Sequence, residues 1–241
     1  MIITNLSAFD TTGNRLAAGF DATRQRIALA CRQAGREPAE IRLLAVSKGQ
    51  PAAALEAAYA LGQRDFGENY LNEALTKIEA LPADCVWHFI GPIQSNKTAA
   101  IAAHFAWVHS VDRARIARRL SAQRPATLPA LQVCIQVRIG GEDSKAGIEP
   151  AELAPLAEEI RALPRLHLAG LMCIPRPSSD PAEQKHQFAQ LRTLRDTLEP
   201  PPPELSMGMS GDLEAAVASG STCLRIGTAL FGPRSQGKAE R

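Results

Sequence analysis

Short apolar runs alternate along this chain with longer segments in which apolar residues recur every three or four positions. That pattern predicts buried strands alternating with amphipathic helices. A helical segment from about Thr12 to Ala34 comes first, with Leu16, Phe20, Ile27 and Ala30 on one face and Gly35 as its stop. The strand Leu43 to Ser47 and the helix Ala52 to Leu61 follow, then Asp65 to Gly67 with the helix Asn69 to Leu81. Next come Val86 to Ile90 with Ser95 to Ala103, and Trp107 to Val111 with Arg113 to Ala122. The second half repeats the alternation: Leu131 to Val137, a helix from near Pro150, Leu166 to Cys173, and a helix over Glu183 to Leu198. It closes with the strand Glu204 to Met207, the helix Leu213 to Ser219 and the strand Thr222 to Ile226. Pro155 would break its helix unless it lies in the first turn. Pro200 to Pro203 reads as a stiff connector.

Eight strands alternating with helices over short connections call for parallel crossovers. The α/β fold expected is a single (β/α)8 barrel of the TIM type with an extra N-terminal helix. An open doubly wound sheet is the alternative, but no G-x-G-x-x-G follows the first strand. One domain over 1–232 is expected, with 1–40 an N-terminal helical segment packed on it and 233–241 a disordered tail.

A barrel of this kind builds its site at the C-terminal ends of its strands and often binds phosphate on the loops after strands seven and eight. Lys48 sits at the end of the first strand, before Gly49 and Pro51. An ammonium at the mouth of an apolar core has its pKa pushed down by desolvation, and a neutral amine is a nucleophile toward aldehydes and ketones. A solvated loop lysine is the plainer reading of that residue alone. Strand seven runs into Gly208-Met209-Ser210-Gly211-Asp212 and strand eight into Gly227-Thr228, each opening a helix. Backbone N–H groups there, with the Ser210 and Thr228 hydroxyls, make an anion cup; ordinary capped turns are the alternative. Lysine and two cups together point to a phosphorylated carbonyl ligand.

Twenty-seven basic against 25 acidic side chains leave a formal net charge of +2, which offers no broad footprint for nucleic acid or membrane. Arg113, Arg115, Arg118 and Arg119 fall on one predicted helix and read as a solvated face. The five cysteines contain no C-x-x-C and read as reduced, buried thiols. No histidine and cysteine spacing suggests a metal site. No apolar run is long enough for a membrane span and the start has no signal-peptide pattern, so a cytoplasmic protein is expected.

The runs AVSKG, FGENY, WHFIGPIQSNK, EDSKAG, GLMCIP, SMGMSGDLEAAVASGST and RIGTALFG resemble those of the pyridoxal-phosphate homeostasis protein family, known in bacteria as the YggS type, from about Leu43 to Gly232. The resemblance implies a barrel similar to the N-terminal domain of alanine racemase with no second domain. It implies pyridoxal 5′-phosphate as the cofactor, with Lys48 as the Schiff-base lysine and Ser210, Gly227 and Thr228 at the phosphate. It also implies a carrier or regulator of that cofactor with no established turnover, for which cofactor-free acceptor enzymes are candidate partners; a monomer is expected. An amino-acid racemase and a Schiff-base aldolase are the alternatives.

Four further residues are counted among the cofactor contacts. Arg225 either faces the barrel interior and meets the pyridine nitrogen, as an arginine does in alanine-racemase-like barrels, or forms an outward salt bridge. Asn69 either lines the pocket or caps the helix it opens. His88 is either a ring neighbour or a satisfied core histidine, and Met207 ends the seventh strand. Lys145 is a loop charge unless it touches ligand, and Arg138 departs from the asparagine of the family pattern. Racemisation needs a base on each face of a carbanion, and neither Tyr59 nor Tyr70 is placed to oppose Lys48.

Overall fold

The computed structural model describes residues 7–140 and 146–233. Its strands are β1 (Arg42–Val46), β2 (Asp65–Glu68), β3 (Val86–Phe89), β4 (Trp107–Val111), β5 (Leu131–Gln136), β6 (Leu166–Met172), β7 (Glu204–Ser206) and β8 (Cys223–Ile226). They pair in chain order, all parallel, and β8 returns to β1, so the sheet closes into a barrel. Closure leaves no edge and excludes the open doubly wound sheet. The helices that follow β1 to β8 are α2 (Ala52–Ala60), α3 (Leu71–Ala80), α4 (Thr98–His104), α5 (Ala114–Gln123), α6 (Leu153–Ala162), α7 (Pro181–Asp196), α8 (Leu213–Ala218) and α9 (Thr228–Phe231). No described helix is long and apolar enough to cross a membrane.

The departures from expectation lie at element ends and have local causes. Pro150 opens a separate 3-10 turn, Pro150–Glu152, before α6. Pro155 then falls in the first turn of α6, where its missing N–H costs no ladder bond. The segment Ser95–Lys97 is likewise a 3-10 turn ahead of α4. β5 stops at Gln136; Val137 N still donates to Met172 O at 2.9 Å, and Val137 bridges to Ile148 as the chain leaves the barrel. Pro181 rather than Glu183 starts α7, because the Asp180 carboxylate accepts from Ala182 N at 2.9 Å and caps it. The expected tail begins at 233, and positions 234–241 lie outside the described residues, as does Lys145.

The N-terminal helix α1 (Ser7–Gln33) packs on α8, α9 and α2. Its Phe20 is buried and meets Phe231 of α9 edge-on, with ring centroids 6.3 Å apart. Arg26 pairs with Glu214 of α8 at 2.9 Å and donates to the Ser210 carbonyl at 3.1 Å. α1 therefore braces the two loops that the sequence marks as phosphate cups. All five cysteines are buried and free, and burial pushes the Cys173 and Cys223 thiols up to about 12.

One buried charge fixes the end of β1. Lys77 of α3 is almost wholly buried and spends its three N–H donors on Ser47 O (2.7 Å), Glu68 Oε1 (2.6 Å) and Glu73 Oε1 (2.6 Å). Ser47 Oγ donates to the same Glu68 oxygen at 2.6 Å, and Glu73 Oε1 also accepts from Gly49 N at 2.6 Å. The residues on both sides of Lys48 are thus tied to one ammonium and its two carboxylates. Burial holds the Glu68 carboxyl above its ordinary range, opposed by Lys77 and Ser47. Removing one member of such a pair strands the other without compensation, at a cost of about 3–5 kcal/mol. Lys77→Met is therefore expected to lower the unfolding free energy in denaturant titration by about that amount, and Glu68→Gln in the same chain to restore part of it. Equal stability of Lys77→Met and the parent would show that the pair does not hold the loop.

Candidate functional site

The C-terminal ends of β1, β2, β3 and β8 surround a cavity of about 280 Å³. Lys48 lines it from the end of β1. Ser210, Gly227 and Thr228 line it from the loops after β7 and β8, Asn69 from the loop after β2, and Arg225 from β8. Val46, Ile90, Ile174 and Met209 supply apolar walls. Six of the eight residues predicted for the site are therefore brought together around one small space.

Close backbone approach makes that space possible. At Gly91 a Cβ would sit 2.3 Å from the Asn69 carbonyl oxygen, so glycine lets the loop after β3 press against the loop carrying Asn69. At Gly227 a Cβ would sit 3.2 Å from the Val46 carbonyl oxygen, which lets the loop after β8 close on the end of β1. Ser210 Oγ accepts from Ala229 N at 3.4 Å, joining the two cups. Asp212 Oδ1 accepts from Met209 N at 2.6 Å, and burial raises the Asp212 carboxyl above its usual value.

Asn69 does not cap α3: the cap position is Tyr70, and the Asn69 Oδ1 is buried with no hydrogen-bond partner. A buried amide oxygen left unmatched in a cavity wall is costly unless a ligand donates to it. Arg225 faces inward, donating through Nη1 to Ser206 Oγ at 2.9 Å and through Nη2 to Cys173 O at 2.8 Å. The outward salt bridge is excluded.

Two predicted contacts lie elsewhere. Met207 follows Ser206 on the chain, and because successive side chains of a strand take opposite faces, the inward Ser206 turns Met207 outward into the fully buried packing between barrel and helices. His88 is also fully buried and does not line the cavity; it lies within the barrel, bonded to Asp65 at 3.0 Å and to His109 at 2.9 Å. It is a satisfied core histidine. Arg138 stands outside the barrel mouth, paired with Glu149 at 2.6 Å in a larger cleft of about 710 Å³ against α7.

Met209, Ile174 and Gln50 are cavity residues that the pattern of the chain did not single out. Each lies in a loop, where no periodicity assigns a face. The partners of Lys77 were equally hidden, although Glu68 stands in the FGENY run beside Asn69.

The family model described as alanine racemase, N-terminal domain, matches residues 20–235. A pyridoxal phosphate homeostasis protein of Pseudomonas aeruginosa is 58% identical over 225 residues, covering 92% of this chain and 97% of the relative. The chain belongs to the pyridoxal phosphate homeostasis protein family. The structure of PipY from Synechococcus elongatus with PLP bound is 38% identical, with a TM-score of 0.79 over 90% of this chain and all of that one. Alanine racemase from Corynebacterium glutamicum shares the fold at 16% identity, with a TM-score of 0.68. The match spans 94% of this chain but 64% of the racemase.

Burial drives both His88 and His109 below the ordinary imidazole range; the Asp65 carboxylate partly offsets this at His88, while His88 and Arg225 add to it at His109. A group with a depressed folded-state pKa binds fewer protons folded than unfolded, so its stabilisation is complete above about pH 6.5 and is lost as pH falls. The unfolding free energy is expected to drop between pH 7 and pH 5 by up to about 1.4 kcal/mol per pH unit for each histidine. A His88→Gln, His109→Gln double variant should flatten that slope. An identical pH profile for the double variant and the parent would contradict neutral, buried imidazoles.

Proposed function

We propose that this chain binds pyridoxal 5′-phosphate reversibly in the 280 Å³ cavity and acts as a cytoplasmic carrier or regulator of the cofactor, handing it to cofactor-free acceptor enzymes. The observation that carries this reading is the arrangement across one small space: an amine at the end of β1 faces two hydroxyl-bearing backbone turns at the ends of β7 and β8. Lys48 holds the aldehyde end covalently. Ser210, Thr228 and the backbone at Gly227 hold the phosphate, and the unmatched Asn69 Oδ1 and inward Arg225 face the ring. When bound, the cofactor supplies an aldehyde to amines and a ring that accepts electron density.

The chain's own residues favour holding over turnover. Tyr59 lies on α2, where its hydroxyl donates to Asp84 Oδ1 at 2.8 Å, and Tyr70 is 59% exposed; neither lines the cavity. A base opposing Lys48 is thus missing among the described tyrosines. A guanidinium only donates hydrogen bonds, so Arg225 donates to a ring nitrogen without protonating it, and the ring stays a weaker electron sink. The relatives' name, homeostasis protein, agrees with that reading.

The experiment mixes the loaded protein with single L-amino acids in deuterium oxide and, separately, with a cofactor-free acceptor enzyme. Activation of the acceptor without α-deuterium exchange above that given by free cofactor is expected. Rapid exchange into both enantiomers, with no activation beyond free cofactor, would favour a racemase. Replacing Ser210 and Thr228 together by alanine removes two donors to an anion and is expected to weaken cofactor retention on dialysis by about tenfold or more. Unchanged retention would place the phosphate elsewhere.

A further inference from the structure

The interior of a parallel eight-stranded barrel is ordinarily filled by layers of branched apolar side chains. Here a line of polar groups runs through it instead. Arg225 Nη1 lies 2.9 Å from Ser206 Oγ. Ser206 Oγ lies 2.7 Å from His109 Nδ1, His109 Nε2 lies 2.9 Å from His88 Nδ1, and His88 Nε2 lies 3.0 Å from Asp65 Oδ1. Ser206, His109, His88 and Arg225 are all buried; Asp65, at the start of β2, is partly exposed beside Arg42, which pairs with Glu204 at 3.2 Å. Four consecutive buried polar side chains are costly unless each is satisfied, and here each is.

The two ends dictate the direction of every bond between them. A guanidinium only donates and a carboxylate only accepts. His88 Nε2–H must therefore donate to Asp65, and because burial disfavours a second proton on either ring, His88 Nδ1 is left as an acceptor. His109 Nε2–H donates to it, leaving His109 Nδ1 to accept from the Ser206 hydroxyl, whose oxygen accepts from Arg225. Both imidazoles are neutral and of one tautomer, and all four bonds point from the cavity toward Asp65. In this arrangement a second proton on His88 would sit on Nδ1 and set N–H against His109 Nε2–H, and one on His109 would sit on Nδ1 and face the Ser206 oxygen, turning that hydroxyl out of the line.

Arg225 makes three inward bonds: Nη1 to the Ser206 carbonyl and hydroxyl, and Nη2 to the Cys173 carbonyl. Two of its five N–H groups remain for whatever the cavity holds. We propose that Ser206, His109 and His88 are positioning residues that act through Arg225: they form a one-directional relay anchored at Asp65 that fixes the guanidinium as a donor toward the cavity and so sets the protonation of a bound ring nitrogen. In its effect on the ring this rests on the reading of the cavity given above; the relay itself does not.

Two arms of one experiment separate the two. In the cofactor-free protein carrying ¹⁵N-histidine, nitrogen spectra at neutral pH are expected to show His88 and His109 both neutral with the proton on Nε2. An imidazolium, or a proton on Nδ1 of either ring, overturns the relay whatever the protein binds. In the loaded protein, ring-¹⁵N pyridoxal phosphate is expected to report an unprotonated, hydrogen-bonded nitrogen. Ser206→Ala and His109→Gln should shift that resonance and speed cofactor loss by about tenfold, whereas Ser206→Thr, which keeps the hydroxyl, should restore both. Asp65→Asn, which leaves the Arg225 contacts untouched, should move the ring resonance in the same direction by a smaller amount. A resonance unmoved in Ser206→Ala, His109→Gln and Asp65→Asn overturns the positioning role. A parent protein that takes up no cofactor sinks the reading of the cavity, while the first arm still decides the relay.

Discussion

A single buried ammonium holds the chemistry of this barrel in place. Lys77 reaches from α3 beneath the end of β1 and satisfies all three of its donors on Ser47, Glu68 and Glu73, two of which in turn grip the chain on either side of Lys48. A lysine side chain on a free loop loses much conformational freedom when a ligand orders it. Here the backbone on both sides of Lys48 is already fixed by those bonds. Preorganisation of this kind favours tight yet reversible capture, because little binding energy goes into building the site. The arrangement also separates duties between two lysines. The buried one holds the loop, and Lys48 lines the cavity.

The same division runs through the rest of the molecule. α1 lies outside the barrel yet reaches the loop after β7, one of the two proposed to hold phosphate, through Arg26, which binds both Glu214 and the Ser210 carbonyl. Gly91 and Gly227 let loops from neighbouring strands approach closely enough to enclose a small cavity. The line from Arg225 to Asp65 occupies the barrel where apolar side chains would otherwise pack. Each feature adds constraint behind the cavity wall and leaves the mouth open, with Ile174 and Met209 partly exposed at its rim.

The barrel and the principal site positions were legible from the chain because they depend on local pattern. Strand and helix periods, the lysine ending the first apolar run and the glycine-marked turns after the last two strands are all features of short stretches. The line of bonds from Arg225 to Asp65 was not legible, because it joins β2, β3, β4, β7 and β8, and only the barrel's register brings those strands to one axis. His88 was visible as a candidate, but its partner His109 stands inside an apolar strand where a histidine reads as core. Met207 was misplaced by one step of alternation: the inward residue of β7 is Ser206. The place of Asn69 just before a helix suggests a cap, but the cap position is Tyr70.

The proposed binding of the cofactor turns on one covalent assignment, that its aldehyde is held by Lys48 alone. Borohydride reduction of the loaded protein, proteolysis and mass measurement of the lysine-containing peptides test it directly. The result predicted is a single reduced adduct, on the peptide carrying Lys48, and its loss in Lys48→Ala. An undiminished adduct on another lysine of the Lys48→Ala protein would contradict it.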